Sequence, residues 1–344
     1  MKDRYKEILE GLSEDTAPKD KNDRILIIDG LNTFIRSFAV NPSVNEDGIH
    51  VGGMTGFLHS IGYAIRNIKP TRVIICFDGK GGSQRRRKLF PDYKATRRVK
   101  HRMTRINEFN SVDDERVAMA QQLQRLSQYL EQLPITVMSI ENIEADDAMA
   151  YISQQVYPTS QCILMSTDRD FLQLVDSRVQ VWSPTKKKFY DSESVQQEFS
   201  INSKNFILLK CITGDGSDNI PGIRGAGIKS LQKRLPLLFE NRKIELSEVI
   251  DYVKNNSDAT KLGQALKDSE DLLNTNYRLM QLEDVEISGH AKESIMNIVH
   301  ADISRLNKRK FEQMVLEDNI NGIFKNPSLW LRESFLPLDN IIGK

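Results

Sequence analysis

Apolar segments of strand length alternate with amphipathic helical patterns through the first part of this 344-residue chain. Strands are predicted over 24–28, 72–77, 135–138, 162–166 and 179–182, and helices over 31–38, 55–68, 117–133 and 148–156. Continuous apolar strands separated by helices are typical of a mainly parallel sheet covered by helices on both faces. We therefore predict an α/β domain over 24–200, an N-terminal extension over 1–23 and a helical region over 201–344.

Acidic residues recur where the predicted strands end and the next helices begin. They are Asp29, Asp78, Glu144, Asp146, Asp147, Asp168 and Asp170, followed in the helical region by Asp215 and Asp218. A single acid in such a place is ordinarily an N-cap that accepts backbone N–H groups. Nine carboxylates brought together would repel one another unless divalent cations neutralised them. Because the set exceeds the needs of one Mg²⁺, it predicts two ions, which suits a phosphoryl displacement.

The segment 80–105 is strongly basic, with eleven Lys or Arg against one acid, although the net charge of the whole chain is only +1. A basic stretch beside an acidic cluster is expected where the substrate is a phosphodiester, since the first attracts the backbone that the second cleaves. Arg86, Lys94 and Arg97 are candidate phosphate contacts, and Tyr93 is a candidate for stacking on a base. The alternative interpretation is a solvated, charged helix face.

A glycine-rich turn follows Asp218 and opens a predicted helix. Its candidate nucleic-acid contacts are Gly222, Arg224, Gly225, Gly227, Lys229 and Lys233. Glycines let the backbone approach a phosphate closely, and two lysines one turn apart add positive charge. Alone, such a turn is more often a plain connection. Its place directly after an acid pair favours the functional interpretation.

Other features narrow the class of protein. The three cysteines are far apart and none belongs to a Cys-x-x-Cys pair, so neither a disulfide framework nor a thiolate zinc site is predicted. No segment approaches the ~20 apolar residues that cross a bilayer, and the start has no leader pattern, so we expect a cytoplasmic protein without a membrane partner. The tail after Asn326 is apolar enough either to dock on the chain or to bind a partner.

Six motifs in this order resemble the structure-specific 5′ nuclease (flap endonuclease) family. They are Leu26-Ile27-Ile28-Asp29-Gly30, Cys76-Phe77-Asp78-Gly79, Tyr93-Lys94-Ala95-Thr96-Arg97, Ile143-Glu144-Ala145-Asp146-Asp147, Ser166-Thr167-Asp168-Arg169-Asp170 and the segment from Gly214 to Gly222. The resemblance spans about 24–282. The family includes the 5′ nuclease domain of bacterial DNA polymerase I and the phage 5′ exonuclease/RNase H enzymes, and a chain of this size is most similar in organisation to the phage enzymes.

The resemblance implies roles for the candidate residues. It implies one metal near Asp78, Glu144, Asp146, Asp168 and Asp170, a second near Asp147, Asp215 and Asp218, and Asp29 between them. It also implies a helical arch over about 80–110 that carries Arg86, Lys94 and Arg97, and a helix-three-turn-helix motif over about 205–235 that binds duplex. The implied cofactors are two Mg²⁺ or Mn²⁺ ions, often with a K⁺ at the helix-three-turn-helix.

The expected function is hydrolysis of phosphodiesters at or near the 5′ ends of flap, branched or RNA-primed duplex DNA during primer and flap removal. DNA and RNA/DNA duplexes are the expected partners, with single-stranded DNA-binding protein or a sliding clamp as candidate protein partners. One alternative is a ribonuclease of the related PIN type, which lacks the glycine turn and the long arch. Another is a fork-binding protein without catalysis, which would gain nothing from nine carboxylates facing a polyanion.

Overall fold

Six strands form one sheet in a computed structural model, which describes residues 20, 22–95, 102–104, 109–256 and 258–342. The strands are β1 (Arg24–Asp29), β2 (Arg72–Phe77), β3 (Thr136–Ser139), β4 (Gln161–Met165), β5 (Val179–Ser183) and β6 (Lys188–Tyr190). Their order across the sheet is β3-β2-β1-β4-β5-β6. The first five are parallel and β6 runs antiparallel to β5. All five predicted strands are confirmed. The sequence did not predict β6 because the strand has only three residues and begins with Lys188, the last of three consecutive lysines.

Fifteen α-helices lie within the described residues. They are α1 (Gly30–Val40), α2 (Gly52–Ile68), α3 (Gln84–Leu89), α4 (Val112–Leu130), α5 (Ala145–Tyr151), α6 (Ser192–Phe199), α7 (Phe206–Thr213), α8 (Ile228–Arg234), α9 (Leu246–Asn256), α10 (Lys261–Lys267), α11 (Glu270–Met280), α12 (Gly289–His300), α13 (Lys308–Glu317), α14 (Pro327–Ser334) and α15 (Leu336–Ile342). The predicted α/β architecture is confirmed. Helix α4 begins five residues before its predicted start, because Ser111 caps it and three acids follow in its first turn.

The central strand β1 faces two hydrophobic cores, which explains why it is apolar at every position from Ile25 to Ile28. Ile25 and Ile27 pack with α5 and with the helices from α7 to α12. Leu26 and Ile28 pack on the other face with α1, α2, α4 and the C-terminal helices. The helical region therefore divides between the two faces of the sheet, which the single predicted region over 201–344 did not anticipate.

The C-terminal tail docks on the chain itself. Trp330 is 9% exposed and Phe335 is fully buried, and both belong to the core that includes α2. Trp330 lies so close to Gly62 that a Cβ there would be 2.5 Å from its indole nitrogen. Of the two alternatives for the tail, the structure shows the first. No helix among the described residues is long and apolar enough to span a membrane.

Candidate active site

Four of the predicted carboxylates line one cavity at the carboxyl ends of the central strands. The cavity has a volume of about 300 Å³, and its wall includes Asp29, Asp78, Asp146, Asp168 and Lys94. Asp29 is the last residue of β1, Asp78 follows β2, and Asp168 follows β4, which pairs with β1 on its other side. Because neighbouring parallel strands end at the same edge, residues far apart in sequence meet here.

Hydrogen bonds fix these carboxylates to the backbone around them. Asp29 accepts a bond of 3.0 Å from the Asn32 amide at the start of α1 and one of 3.0 Å from the Ser166 hydroxyl. Asp78 accepts from the Ala145 amide at 2.8 Å, which ties β2 to the start of α5. Asp168 caps the 3₁₀ helix Arg169–Leu174. The ordinary N-cap role is thus real for Asp29 and Asp168, although both residues also line the cavity.

The electrostatics of this cavity suit a cation. Burial raises the pKa of Asp29 to about 7, and repulsion by Asp78 and Asp168 adds to the effect. Burial also raises the pKa of Asp146, again with repulsion from Asp168 and Asp29. Among the described residues, no Lys or Arg forms an ion pair with any of the four carboxylates. A bound cation would favour the ionised forms that burial now disfavours.

A second group of carboxylates is held by Lys210 on α7. Its ammonium lies 2.8 Å from an oxygen of Asp170 and contacts Asp215 as well. Burial would raise the pKa of Asp215, but hydrogen bonds from Lys210 and Ser217 lower it to about 2. Burial and repulsion by Asp168 raise the pKa of Asp170 to about 7 despite the lysine. Asp170, implied to belong with the first metal, is therefore grouped with Asp215.

Lys210 is a residue that the sequence analysis missed. It is the one charged residue in the segment Phe206–Thr213, which is otherwise apolar apart from its final threonine. A lone cation in an apolar helix that precedes an acid pair is a signal for a buried ion pair, since an uncompensated buried charge would be costly.

Arg86 is placed differently from its predicted role. Arg86 is 4% exposed, and its guanidinium donates to Asp147 at 2.7 and 2.9 Å, to Glu144, and to the Leu279 carbonyl at 2.7 Å. Burial would lower the pKa of Arg86, but the charges of Asp147 and Glu144 raise it. Arg86 is therefore an internal clamp rather than an exposed arch residue. Asp147 is 2% exposed and pairs with Arg85 and Arg86, and its place beside the second metal stays a prediction.

Tyr93 and Lys94 contact the same glutamate, Glu144, and Lys94 also lines the cavity. The Lys94 ammonium is 2.6 Å from Glu144 and 3.8 Å from Asp218. Tyr93 is 3% exposed and its hydroxyl is 3.3 Å from Glu144, so its ring cannot stack on a base in this conformation, contrary to the prediction. Lys94 has φ +55, a strained left-handed conformation of the kind found at functional sites. Arg97 lies outside the described residues.

The glycine-rich turn presents the predicted contacts at the surface. Gly222, Arg224, Gly225, Gly227, Lys229 and Lys233 are all exposed, whereas Ile223 and Ala226 between them are buried anchors. Gly225 has φ +85, which a side chain would strain, and a Cβ on Gly222 would be 1.9 Å from the Thr213 carbonyl oxygen. The turn thus joins α7 to α8 with its cations exposed, and its role as a helix-three-turn-helix motif stays a prediction.

The described residues contain no group of three His, Cys, Asp or Glu side chains already arranged to hold one metal ion. The physical reason lies in the pairs described above. Arg86, Lys94 and Lys210 draw Glu144, Asp147, Asp170 and Asp215 toward themselves, and the remaining acids repel one another. The acids are therefore gathered but not in a coordination shell.

Comparisons with known proteins agree with this geometry. A family model described as the 5′-3′ exonuclease N-terminal resolvase-like domain matches residues 24–200. The chain is 28% identical to a 5′-3′ exonuclease of Buchnera aphidicola subsp. Acyrthosiphon pisum over 282 residues, 80% of this chain and 92% of that protein. It is 28% identical to flap endonuclease Xni of Shewanella denitrificans over 260 residues, 75% of this chain and 92% of that one.

A solved structure of the bacteriophage T5 flap endonuclease, in a complex with DNA and metal ions, has the same fold. The TM-score is 0.61 at 23% sequence identity, and the match covers 86% of this chain and 99% of the phage protein. The likeness extends beyond residue 200, so it includes part of the helical region as well as the sheet.

Proposed function

This chain belongs to the 5′-3′ exonuclease family, and we propose that it is a divalent-metal-dependent nuclease acting at or near 5′ ends of DNA. Flaps, branched ends and RNA-primed duplexes are its proposed substrates, and primer and flap removal in replication and repair is its proposed task. The observation that carries the proposal is the cavity lined by four carboxylates and Lys94. Such a cavity repels a phosphodiester until cations occupy it, and then attracts one.

Asp29, Asp78, Asp146 and Asp168 are the residues proposed to hold one ion, and Asp170, Asp215 and Asp218 the second. Mg²⁺ or Mn²⁺ suits a donor set made of oxygens. When bound, such ions supply an activated water and neutralise charge on the phosphate and the leaving oxygen. Lys210 now neutralises Asp170 and Asp215, so it competes with the second cation for these two carboxylates.

The chain's own cations have separate tasks. Lys94 lies between Glu144 and Asp218 in the cavity wall, where its charge can act on a phosphate brought to the carboxylates. Arg86 holds Glu144 and Asp147, which flank Asp146, and so fixes the first turn of α5. Arg97, four residues beyond Tyr93, is proposed to act with Lys94 on the same phosphate.

The exposed glycine turn is proposed to hold the duplex part of the substrate, with a K⁺ ion at its backbone. Lys229 and Lys233 supply two cations there, and the same turn counts against a PIN-type ribonuclease. The buried, repelling acids count against a fork-binding protein without catalysis, because binding alone would be better without them. Single-stranded DNA-binding protein or a sliding clamp is a proposed partner, and the cytoplasm is the proposed location.

One assay tests the proposal directly. The purified protein is incubated with Mg²⁺ or with EDTA on 5′-labelled flap, nicked, blunt and RNA-primed duplexes. We expect cleavage near the 5′ end in Mg²⁺ alone, and none by Asp78→Asn or Asp168→Asn, while the exposed control Asp251→Asn stays active. Cleavage that survives EDTA, or full turnover by either cavity variant, would contradict the assignment.

A further inference from the structure

The end of helix α11 is linked by hydrogen bonds to three separate segments that carry acids of the candidate site. These segments are 144–147 at the start of α5, 168–170 after β4, and 215–218 after α7. All the links start from residues 276–280 of α11. Because a helix rises about 1.5 Å per residue, these residues span only about 6 Å along its axis.

Asn276 closes the loop that carries Asp215 and Asp218. Its side-chain nitrogen donates to the Cys211 carbonyl at 2.8 Å, in the last turn of α7, and to the Pro221 carbonyl at 2.8 Å, just after the acid pair. In a continuing helix the Cys211 carbonyl would accept from the Asp215 amide, but this amide bonds within the loop instead. One side chain of α11 therefore holds both ends of the loop.

The last carbonyls of α11 accept bonds from the other two acid segments. The Leu279 carbonyl accepts from Arg86 at 2.7 Å, and the guanidinium of Arg86 also holds the acids that begin α5. The Met280 carbonyl accepts from the Gln173 side chain at 3.1 Å, and the same nitrogen donates to the Asp170 carbonyl at 2.7 Å. Such carbonyls have no donor within their own helix, so they are free to accept these bonds.

The side chain of Asn276 has an unfavourable feature that its two bonds explain. Asn276 is fully buried, and its Oδ1 has no donor among the residues that the structure describes. Carbonyl oxygens only accept, so the amide nitrogen has to face them and the amide oxygen is left over. A leucine of similar size would avoid the unsatisfied oxygen, but it would leave both carbonyls without this donor. The position therefore requires a double donor and not merely a side chain that fills space.

We propose that Asn276 is a positioning residue, which sets where Asp215 and Asp218 lie relative to the acids of the sheet. The inference rests on the proposed function for the second ion, whose carboxylates come from the sheet side as Asp170 and from this loop. A residue that orients metal ligands acts on affinity without touching the ion. Lys210 also joins Asp170 to Asp215, but through carboxylate oxygens that an ion would need. The bonds of α11 use none of these oxygens.

Titration with Mn²⁺, followed by electron paramagnetic resonance, counts the bound ions and gives the affinity of each. The second ion is identified as the one whose affinity falls in Asp215→Asn. Asn276→Leu should weaken this ion about tenfold, the lower end of the effect of residues that orient metal ligands, and should leave the other ion unchanged.

Asn205 provides a matched control, because it is another fully buried asparagine that holds a loop. It donates to three carbonyls between 238 and 242 and accepts from the Ile244 amide, and this loop carries none of the nine acids. Asn205→Leu loses more hydrogen bonds than Asn276→Leu, so it should lower the melting temperature at least as much. It should nevertheless bind both ions with unchanged affinity.

Hydrogen exchange measured by mass spectrometry in EDTA tests the closure of the loop without metal or activity. In Asn276→Leu the exchange should be faster over 212–223, where the amides of Ile220 and Ile223 are bonded across the loop. In Asn205→Leu it should be faster over 238–244 instead. Faster exchange spread alike over both segments in both variants would show a general loss of stability and overturn the assignment.

Gln173→Met breaks another of the links at a half-buried position, so it serves as the test if Asn276→Leu does not fold. It should weaken the same ion as Asn276→Leu. Unchanged affinity for the second ion in the folded variant of this pair would overturn the inference, and so would equal weakening in Asn205→Leu.

The failure of the proposed function has a different signature. An unaltered protein that binds no second ion and cleaves no flap in Mg²⁺ would overturn that function. Faster exchange confined to 212–223 in Asn276→Leu would then still assign the position of the acid loop to this asparagine, and unchanged exchange there would overturn that assignment as well.

Discussion

The metal-free protein should lose stability as the pH rises from about 4 to about 7. Burial holds the pKa of Asp29 at about 7 in the folded state, against an ordinary value of 3.8. Between these two values the folded protein keeps a proton that the unfolded chain has released, so raising the pH favours unfolding. One pKa unit corresponds to about 1.4 kcal/mol, so Asp29 accounts for about 4 kcal/mol at most.

Burial also raises the pKa of Asp170 to about 7. The charge of Asp168 repels both Asp29 and Asp170 and raises both pKa values further. Because the two carboxyls are coupled through Asp168, their combined effect is smaller than twice the effect of one. For a chain of this length, a loss of about 4 kcal/mol lowers the melting temperature by on the order of 5 °C. A bound divalent cation favours the ionised carboxylates and should remove most of this loss.

Thermal unfolding followed by circular dichroism in EDTA, at several pH values between about 5 and 8, measures the effect. The melting temperature should fall with pH in EDTA, and added Mg²⁺ should raise it most at the upper end. In Asp29→Asn the melting temperature should fall less steeply with pH, because the amide oxygen still accepts the bond from the Asn32 N–H and the side chain does not titrate. The exposed control Asp251→Asn should show the same pH dependence as the unaltered protein. A melting temperature that is constant or rises in EDTA, or equal slopes for Asp29→Asn and the unaltered protein, would refute the reasoning.

Three further predictions concern the cations. Lys94→Ala should lower the single-turnover rate on a 5′ flap about 10²–10³-fold with little change in affinity measured in Ca²⁺, and a normal rate with weakened binding would make Lys94 a tether only. Arg86→Ala should lower the free energy of unfolding by about 3–5 kcal/mol in urea titrations, since it removes the buried guanidinium that Glu144 and Asp147 share and leaves them only Lys94 and Arg85, and a cost below 1 kcal/mol would contradict the clamp. Lys229→Ala and Lys233→Ala should each reduce the salt slope of duplex binding by about 0.9 for every sequence, and a sequence-dependent effect would make the turn purely structural.

The sequence predicted the elements of the fold well, because the signals were local. Five apolar strands follow from periodicity alone, and the helix predicted from 148 exists but begins three residues earlier, as α5 at Ala145. Strand order and edge position then bring Asp29, Asp78 and Asp168 together without any further information. The short strand β6 and the docking of the tail on α2 depend on contacts between distant segments, which leave no periodic trace.

The sequence could not predict which of the acids form ion pairs with lysine or arginine side chains. A run of three arginines and a lysine over 85–88 looks uniformly exposed, yet the helix α3 turns Arg86 alone fully inward, where Glu144 and Asp147 meet it. Whether an acid pairs with a Lys or Arg depends on the direction in which each side chain points. On a helix, moving a residue by one position can turn its side chain from the interior to the surface. Composition therefore predicted the total charge of the site but not its distribution.

The nine acids fall into two groups, according to whether a lysine or arginine of the protein lies beside them. Five lie within 4 Å of a cation of the protein, namely Glu144, Asp147, Asp170, Asp215 and Asp218. Asp29, Asp78, Asp146 and Asp168 have no such partner among the described residues, and these four share one cavity. Protein cations beside five acids reduce the repulsion within the metal-free site, because an uncompensated buried carboxylate is costly. The four left without a cation are consequently where an added metal ion stabilises most, and where replacing Asp by Asn should most reduce the stabilisation that Mg²⁺ brings.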